Sequence, residues 1–169
     1  KGISAPLIMT PEYITDSLDV FPVEFFDFKN IHKTVYGEDI FGNIVIDHSN
    51  LRLQCEREVK VKLIGLRQSY IASLGDKKIL TEKISGSITG YMPLFRAIIY
   101  LLGGDPPVDK YAALKKIREI TGLETDVFEK MLGIKMNALL LNSDELSNAF
   151  EQYYSATEKL GEIVDAITT

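Results

Sequence analysis

This sequence has 169 residues, of which 46% are hydrophobic and 25% are charged, a balance that excludes wholesale disorder. Its net charge of −5 gives no general electrostatic attraction to nucleic acid, so general nucleic-acid binding is not expected. Cys55 is the only cysteine, which excludes an intrachain disulfide and is compatible with a cytoplasmic protein. The most apolar stretch, residues 88–102, contains Arg96 and is too short to span a bilayer, so no membrane partner is expected.

The first 46 residues predict a short helix followed by short strands. Thr10 and Pro11 are typical of a helix N-cap and first helical position. Residues 23–28 (VEFFDF) are rich in Phe and predict a strand, in which Glu24 and Asp27 lie on opposite faces. Residues 34–37 and 44–46 predict two more short strands, with Gly37 and Gly42 between them.

From Asp47 onward the hydrophobic period is helical. Apolar residues recur at steps of three and four along residues 51–74, which predicts one long helix that ends near Gly75. Residues 77–102 predict a second helix, kinked or divided at Pro93, and three more are predicted over residues 109–121, 124–132 and 143–169. The predicted fold is therefore mainly α. A bundle of four to five helices (residues 47–169) follows a small α/β remnant (residues 1–46).

Carboxylates carry most of the candidate chemistry of this chain. A Gly-rich phosphate loop is missing, and His32, His48 and Cys55 lack the spacing of a metal site. Glu24 and Asp27 have two explanations. Either one faces solvent and the other caps or pairs locally, or they belong to a metal site for phosphoryl or nucleotidyl transfer, where Mg²⁺ needs oxygen ligands.

Two short motifs resemble a known superfamily. Residues 23–28 (VEFFDF), then 35–39 (VYGED) and a long charged helix resemble the C-terminal edge of the polymerase-β-like nucleotidyltransferase fold. Residues 51–58 (LRLQCERE) look like the start of the helical, substrate-binding-type domain in bacterial nucleotidyltransferases of unknown substrate. The resemblance implies that residues 1–46 are the C-terminal edge of a nucleotidyltransferase-like α/β domain. It also implies that residues 47–169 form a helical domain that shapes the acceptor site.

The same resemblance implies the site residues. Glu24 takes the position of the third metal-binding carboxylate, with Asp27 as the second choice. The family's Gly-Ser turn and Asp-x-Asp pair are not present, because no such pair follows Gly86-Ser87. We therefore expect a C-terminal fragment that is catalytically incomplete alone and needs no cofactor by itself. Mg²⁺, a nucleoside triphosphate and an unknown acceptor would bind only to the complete parent protein.

Basic and aromatic residues form two further candidate sets. The long predicted helix carries a mainly basic set: Arg52, Arg57, Lys60, Lys62, Arg67 and Gln68. Either this set belongs to a solvated face, or Arg52, Arg67 or a neighbour reaches a nucleotide phosphate at the domain junction. Tyr91, Tyr153 and Tyr154 either pack in the core or line a pocket between helices.

A different class of function also fits the sequence. An exposed apolar seam on the bundle would make the chain a helical protein-interaction or dimerisation module without catalytic activity, and a homodimer is one form of it. Motifs upstream of Lys1 would discriminate, because a Gly-Ser turn followed by Asp-x-Asp favours the enzyme.

Overall fold

The computed structural model describes residues 5–136 and 141–168, and these residues confirm a mainly α fold. They form eight α-helices and one short 3-10 helix at residues 88–90, and none of them lies in a strand. The α-helices are α1 (Pro11–Asp16), α2 (Pro22–Ile31), α3 (His48–Ser73), α4 (Lys77–Ser87), α5 (Tyr91–Leu101), α6 (Lys110–Thr121), α7 (Asp126–Lys135) and α8 (Ser143–Asp165).

The predicted strand at residues 23–28 is wrong, because this segment is the helix α2. The small strands predicted at residues 34–37 and 44–46 are also absent from the structure. Pro22 occupies the start of α2, where its fixed φ suits a helix and its missing N–H costs nothing. The α/β remnant is therefore replaced by helices and loops.

Burial on both sides explains why the sequence pattern of α2 was misleading. Val23, Phe25 and Phe26 are each at most 4% exposed, because α2 packs against both α3 and α5. When neighbouring elements cover a helix on two sides, apolar residues occur on both sides. The sequence then shows no clear helical period of apolar and polar residues. Whether a domain boundary lies at residue 46 stays a prediction, although these side chains join the same apolar core as the later helices.

The long helix predicted to end near Gly75 is confirmed as α3. Asp47 caps its first turn by accepting a hydrogen bond from the backbone N–H of Asn50. Leu74 ends it in the left-handed conformation, at φ 49°, and Gly75 follows with φ 83°. One side of α3 packs against α2, α4, α5 and α8, which leaves the opposite side facing outward.

The predicted division at Pro93 is confirmed. The helix ends at Ser87, a 3-10 turn spans residues 88–90, and α5 begins at Tyr91. Pro93 is then in the first turn of α5, where its ring displaces no intrahelical bond. The resulting α5 is the most buried helix among the described residues, with six side chains that are at most 1% exposed (Tyr91, Leu94, Phe95, Ala97, Ile98 and Ile99).

Of the three candidate tyrosines, Tyr91 and Tyr153 pack in the core, and Tyr154 is half-buried. The Tyr91 hydroxyl is 2.8 Å from the Thr157 hydroxyl, and the Tyr153 hydroxyl is 2.9 Å from that of Ser87. Burial raises the pKa of Tyr91 to about 12. Cys55 is fully buried, and burial raises its pKa to about 12, so the thiol is neutral at physiological pH. We found no described helix whose length and apolar character would let it cross a membrane.

Candidate functional site

Asp27 pairs with a buried arginine in the interior. Its Oδ1 lies 2.5 Å from Nε of Arg96, and the two residues are 7% and 4% exposed. Arg96 also donates a hydrogen bond from Nη1 to the backbone carbonyl of Val108, at 3.4 Å. The pair joins α2 to α5 and to the loop before α6. A carboxylate held in this way is not available to a ligand at the surface.

Glu24 lies on the exposed side of the first turn of α2. Its Oε2 accepts a hydrogen bond of 2.7 Å from Nε2 of Gln54, and Oε1 of Gln54 accepts one of 2.7 Å from the backbone N–H of Val23. Gln54 is only 4% exposed, so its amide is fixed by its surroundings. The carboxylate of Glu24 is thus held in place while it stays accessible to solvent.

Glu58 and Lys62 continue the same edge along α3. Together with Gln54 they occupy successive turns of the helix at four-residue steps, so they lie on one face. Burial lowers the pKa of Lys62, whereas the negative charges of Glu58 and Glu24 act in the opposite direction. We call Glu24, Gln54, Glu58 and Lys62 the Glu24 edge.

The ammonium group of Lys62 is held by contacts other than hydrogen bonds. Its Nζ lies 4.8 Å from the centroid of the Tyr91 ring, which is a cation–π contact. A Cβ built on Gly90 would lie 2.9 Å from this Nζ, so the ammonium group lies close to the backbone of Gly90. Among the described residues we find no hydrogen bond of this Nζ, and the half-buried ammonium group lies within electrostatic range of the Glu58 and Glu24 carboxylates.

The Glu24 edge does not form a complete metal site. Within residues 5–136 and 141–168 there is no group of three or more His, Cys, Asp or Glu side chains that could hold a metal ion. Mg²⁺ needs near-octahedral oxygen coordination and commonly takes one or two protein carboxylates together with substrate phosphates and water. The residues present do not fit a magnesium site by themselves, and Glu24 is the accessible one of the two predicted carboxylates.

Arg52 and Arg67 bind different parts of the chain. Nε of Arg52 donates to the backbone carbonyl of Ile167 at 2.8 Å, and Nη1 donates to Glu56 at 3.3 Å. Nε of Arg67 donates to the hydroxyl of Tyr154 at 2.7 Å. Their fifteen-residue separation corresponds to about 22 Å along α3. The structure therefore brings these arginines neither to each other nor to Asp27, and both contact the region of α8.

Asp39, in the second motif of the resemblance, has local partners. Its Oδ1 lies 2.7 Å from Nε2 of His32 and accepts a hydrogen bond of 2.9 Å from the backbone N–H of Gly42. The hydrogen bond to Asp39 raises the pKa of His32. Val35 and Tyr36 in the same motif are 92% and 98% exposed. In this structure the motif forms a surface loop, and the contact of Asp39 with His32 connects this loop to the end of α2.

Sequence reasoning did not assign roles to Gln54 and Arg96, and it placed Lys62 only in the basic set on the long helix. Gln54 and Lys62 carry a readable signal, because they flank Glu58 at four-residue steps on a helix that was predicted. Arg96 was noted only as a charge in an apolar stretch. A lone charge inside an otherwise buried helix requires a buried partner, so it could have pointed to a carboxylate elsewhere in the chain.

No protein-family description, curated protein or solved structure matches this chain. The assignment of a function therefore depends on the residues and contacts described above.

Proposed function

We propose that this chain is the helical part of a nucleotidyltransferase, and that the Glu24 edge is its contribution to the substrate site. The observation that carries the proposal is the accessible, fixed carboxylate of Glu24, which Gln54 holds by a hydrogen bond of 2.7 Å. Residues outside this chain supply the remaining carboxylates, and the nucleoside triphosphate, its Mg²⁺ and the acceptor bind to the complete protein. We place that protein in the cytoplasm.

The separate environments of the two carboxylates support this assignment. Asp27 is buried against Arg96, so its charge is already neutralised inside the protein. Glu24 faces solvent, and the unpaired ammonium of Lys62 belongs to the same edge. Interactions aimed at charge that develops in a transition state are the ones that accelerate a reaction. A fixed, exposed carboxylate near a half-buried ammonium group fits a substrate that carries both a cationic centre and a phosphate.

The position of Glu24 departs from the resemblance in one respect. It is presented from the first turn of a helix, whereas the resemblance implies a strand. The helix dipole interacts favourably with a negative charge in this first turn. The proposal therefore depends on where the side chain lies and not on the secondary structure that carries it.

Replacement of Glu24 is the direct test. In the protein that joins this chain to its catalytic residues, we expect Glu24→Gln to lower nucleotide transfer by about 100-fold or more, because it removes a charge from the reacting centre. Thermal melts should stay unchanged, since Glu24 is exposed. Transfer from labelled nucleoside triphosphates measures the loss. Glu129→Gln is the matched control, because Glu129 is an exposed carboxylate in the first turn of α7.

Two results would remove the proposal. One is a parent sequence without a Gly-Ser turn followed by Asp-x-Asp. The other is normal transfer by Glu24→Gln in an active parent protein. The 169-residue chain alone is expected to transfer no nucleotide, so Mg²⁺-dependent transfer by this chain that is lost in Glu24→Gln would contradict its assignment as an incomplete part.

A further inference from the structure

The outward side of α3 carries a regular seam. Seven residues recur at alternating steps of four and three, which is the spacing of a helix-pairing surface. They are Leu53, Arg57, Lys60, Ile64, Arg67, Ile71 and Leu74. We call this set the α3 seam. It faces away from the buried residues of the same helix, which include Leu51, Cys55, Val59 and Leu66.

The apolar members of the α3 seam are unusually accessible. Leu53, Ile64, Ile71 and Leu74 are 62%, 52%, 70% and 92% exposed, and neighbouring Val61 is 54% exposed. Single exposed apolar residues are ordinary, but a row of them along one helix marks a surface for binding. From Leu53 to Ile71 the row extends for about 27 Å at the rise of an α-helix, which is the length of a partner helix of about 18 residues.

The polar members of the seam all carry the same charge. The side chains of Arg57 and Lys60 are 58% and 62% exposed, and Arg67 is exposed as well. Glu56 and Glu58 lie beside the seam and pair with Lys60 and Arg57, and Arg67 donates to the Tyr154 hydroxyl, but no carboxylate belongs to the seam itself. A chain with a net charge of −5 thus carries a local basic and apolar strip.

From these observations we infer that the α3 seam binds an amphipathic helix of a partner protein whose own seam combines aliphatic and acidic residues. Aliphatic side chains of that helix cover the leucines and isoleucines. Its carboxylates lie opposite the three cations. Charge complementarity of this kind fixes the orientation and register of a helix pair. This interaction does not depend on the proposed transferase activity.

A second copy of this chain is a poor occupant of the same surface. If two copies of α3 pair antiparallel about Ile64, Lys60 of each copy lies opposite Arg67 of the other. In a parallel pair, each cation lies opposite its own copy. Both arrangements bring like charges together in the contact, which disfavours self-association.

A designed peptide tests the inference directly. A labelled amphipathic peptide would carry the seam order Leu, Leu, Glu, Leu, Glu, Glu, Leu, which matches an antiparallel α3, and a control peptide would replace the three Glu by Lys. We expect fluorescence anisotropy to show about tenfold or greater preference of the full chain for the acidic peptide. Ile64→Glu should abolish binding, whereas Val35→Glu, at a 92% exposed loop residue, should leave it unchanged.

A charge swap distinguishes a charge-specific contact from nonspecific hydrophobic binding. The double variant Arg57→Glu with Lys60→Glu should reverse the preference and bind the Lys peptide. The inference is wrong if the wild-type chain binds neither peptide or binds both equally. It is also wrong if the seam instead binds vesicles of anionic phospholipid, or if the chain forms a dimer that Ile64→Glu dissociates.

Discussion

Replacement of Asp27 by Asn is expected to destabilise the protein by about 3–5 kcal/mol, because it leaves Arg96 charged and unpaired in the interior. The two groups are 2.5 Å apart and largely shielded from water. Small domains are stable by only about 5–15 kcal/mol, so this change removes a large share of the total. Urea unfolding followed by circular dichroism measures the loss. Asp19→Asn, at an exposed residue in the turn after α1, should change stability by no more than about 0.5 kcal/mol.

A double variant distinguishes the ion pair from simple packing. Asp27→Leu combined with Arg96→Met removes both charges together, so it should cost less than the sum of the two single changes. If the losses simply add, the two side chains do not interact and the buried pair is contradicted. Urea unfolding of Glu24→Gln beside these variants tests the assignment of roles, since Asp27 should affect stability and Glu24 should not.

The helical part of this fold was predictable because its signals are local. Apolar steps of three and four, the Asp47 cap and the Pro93 break fix α3 and the helices that follow it. Residues 22–31 were not predictable in this way, because α2 is covered by both α3 and α5. Pro22 together with Glu24 in the same first turn is a helix signal, but the run of Phe residues favours a strand.

The candidate site was only partly readable for a related reason. Glu24 was singled out by the resemblance, but its fixed position depends on Gln54, which is 30 residues away in sequence. The ion pair of Asp27 depends on Arg96, which is 69 residues away. Contacts of this range depend on how the helices pack, which a single sequence does not display. Four-residue spacing on one helix, as in Gln54, Glu58 and Lys62, remains visible in the sequence alone.

The last helix carries the second large stability effect. Along α8, side chains at steps of three and four are buried, although Phe150 is only half-buried and Ala149 is buried beside it. The buried members are Leu146, Tyr153, Thr157, Leu160 and Val164, and Ile167 continues this row just beyond the end of the helix. α8 packs against α3. A Cβ built on Gly161 of α8 would lie 3.4 Å from Cγ1 of Val59 in α3, so the two helices are in close contact.

Leu160→Ala is expected to destabilise the protein by about 2–5 kcal/mol, because it removes buried methyl groups and leaves a cavity. Lys159 precedes it but points to solvent, with a side chain that is 64% exposed and pairs with Glu162 at 2.9 Å. Lys159→Ala should therefore cost at most about 0.5 kcal/mol. Denaturant melts of the two variants compare neighbouring positions on one helix. Equal and small losses would mean that α8 does not pack closely against α3. In that case the apolar row of α8 would be a second candidate surface for binding a helix, in addition to the α3 seam.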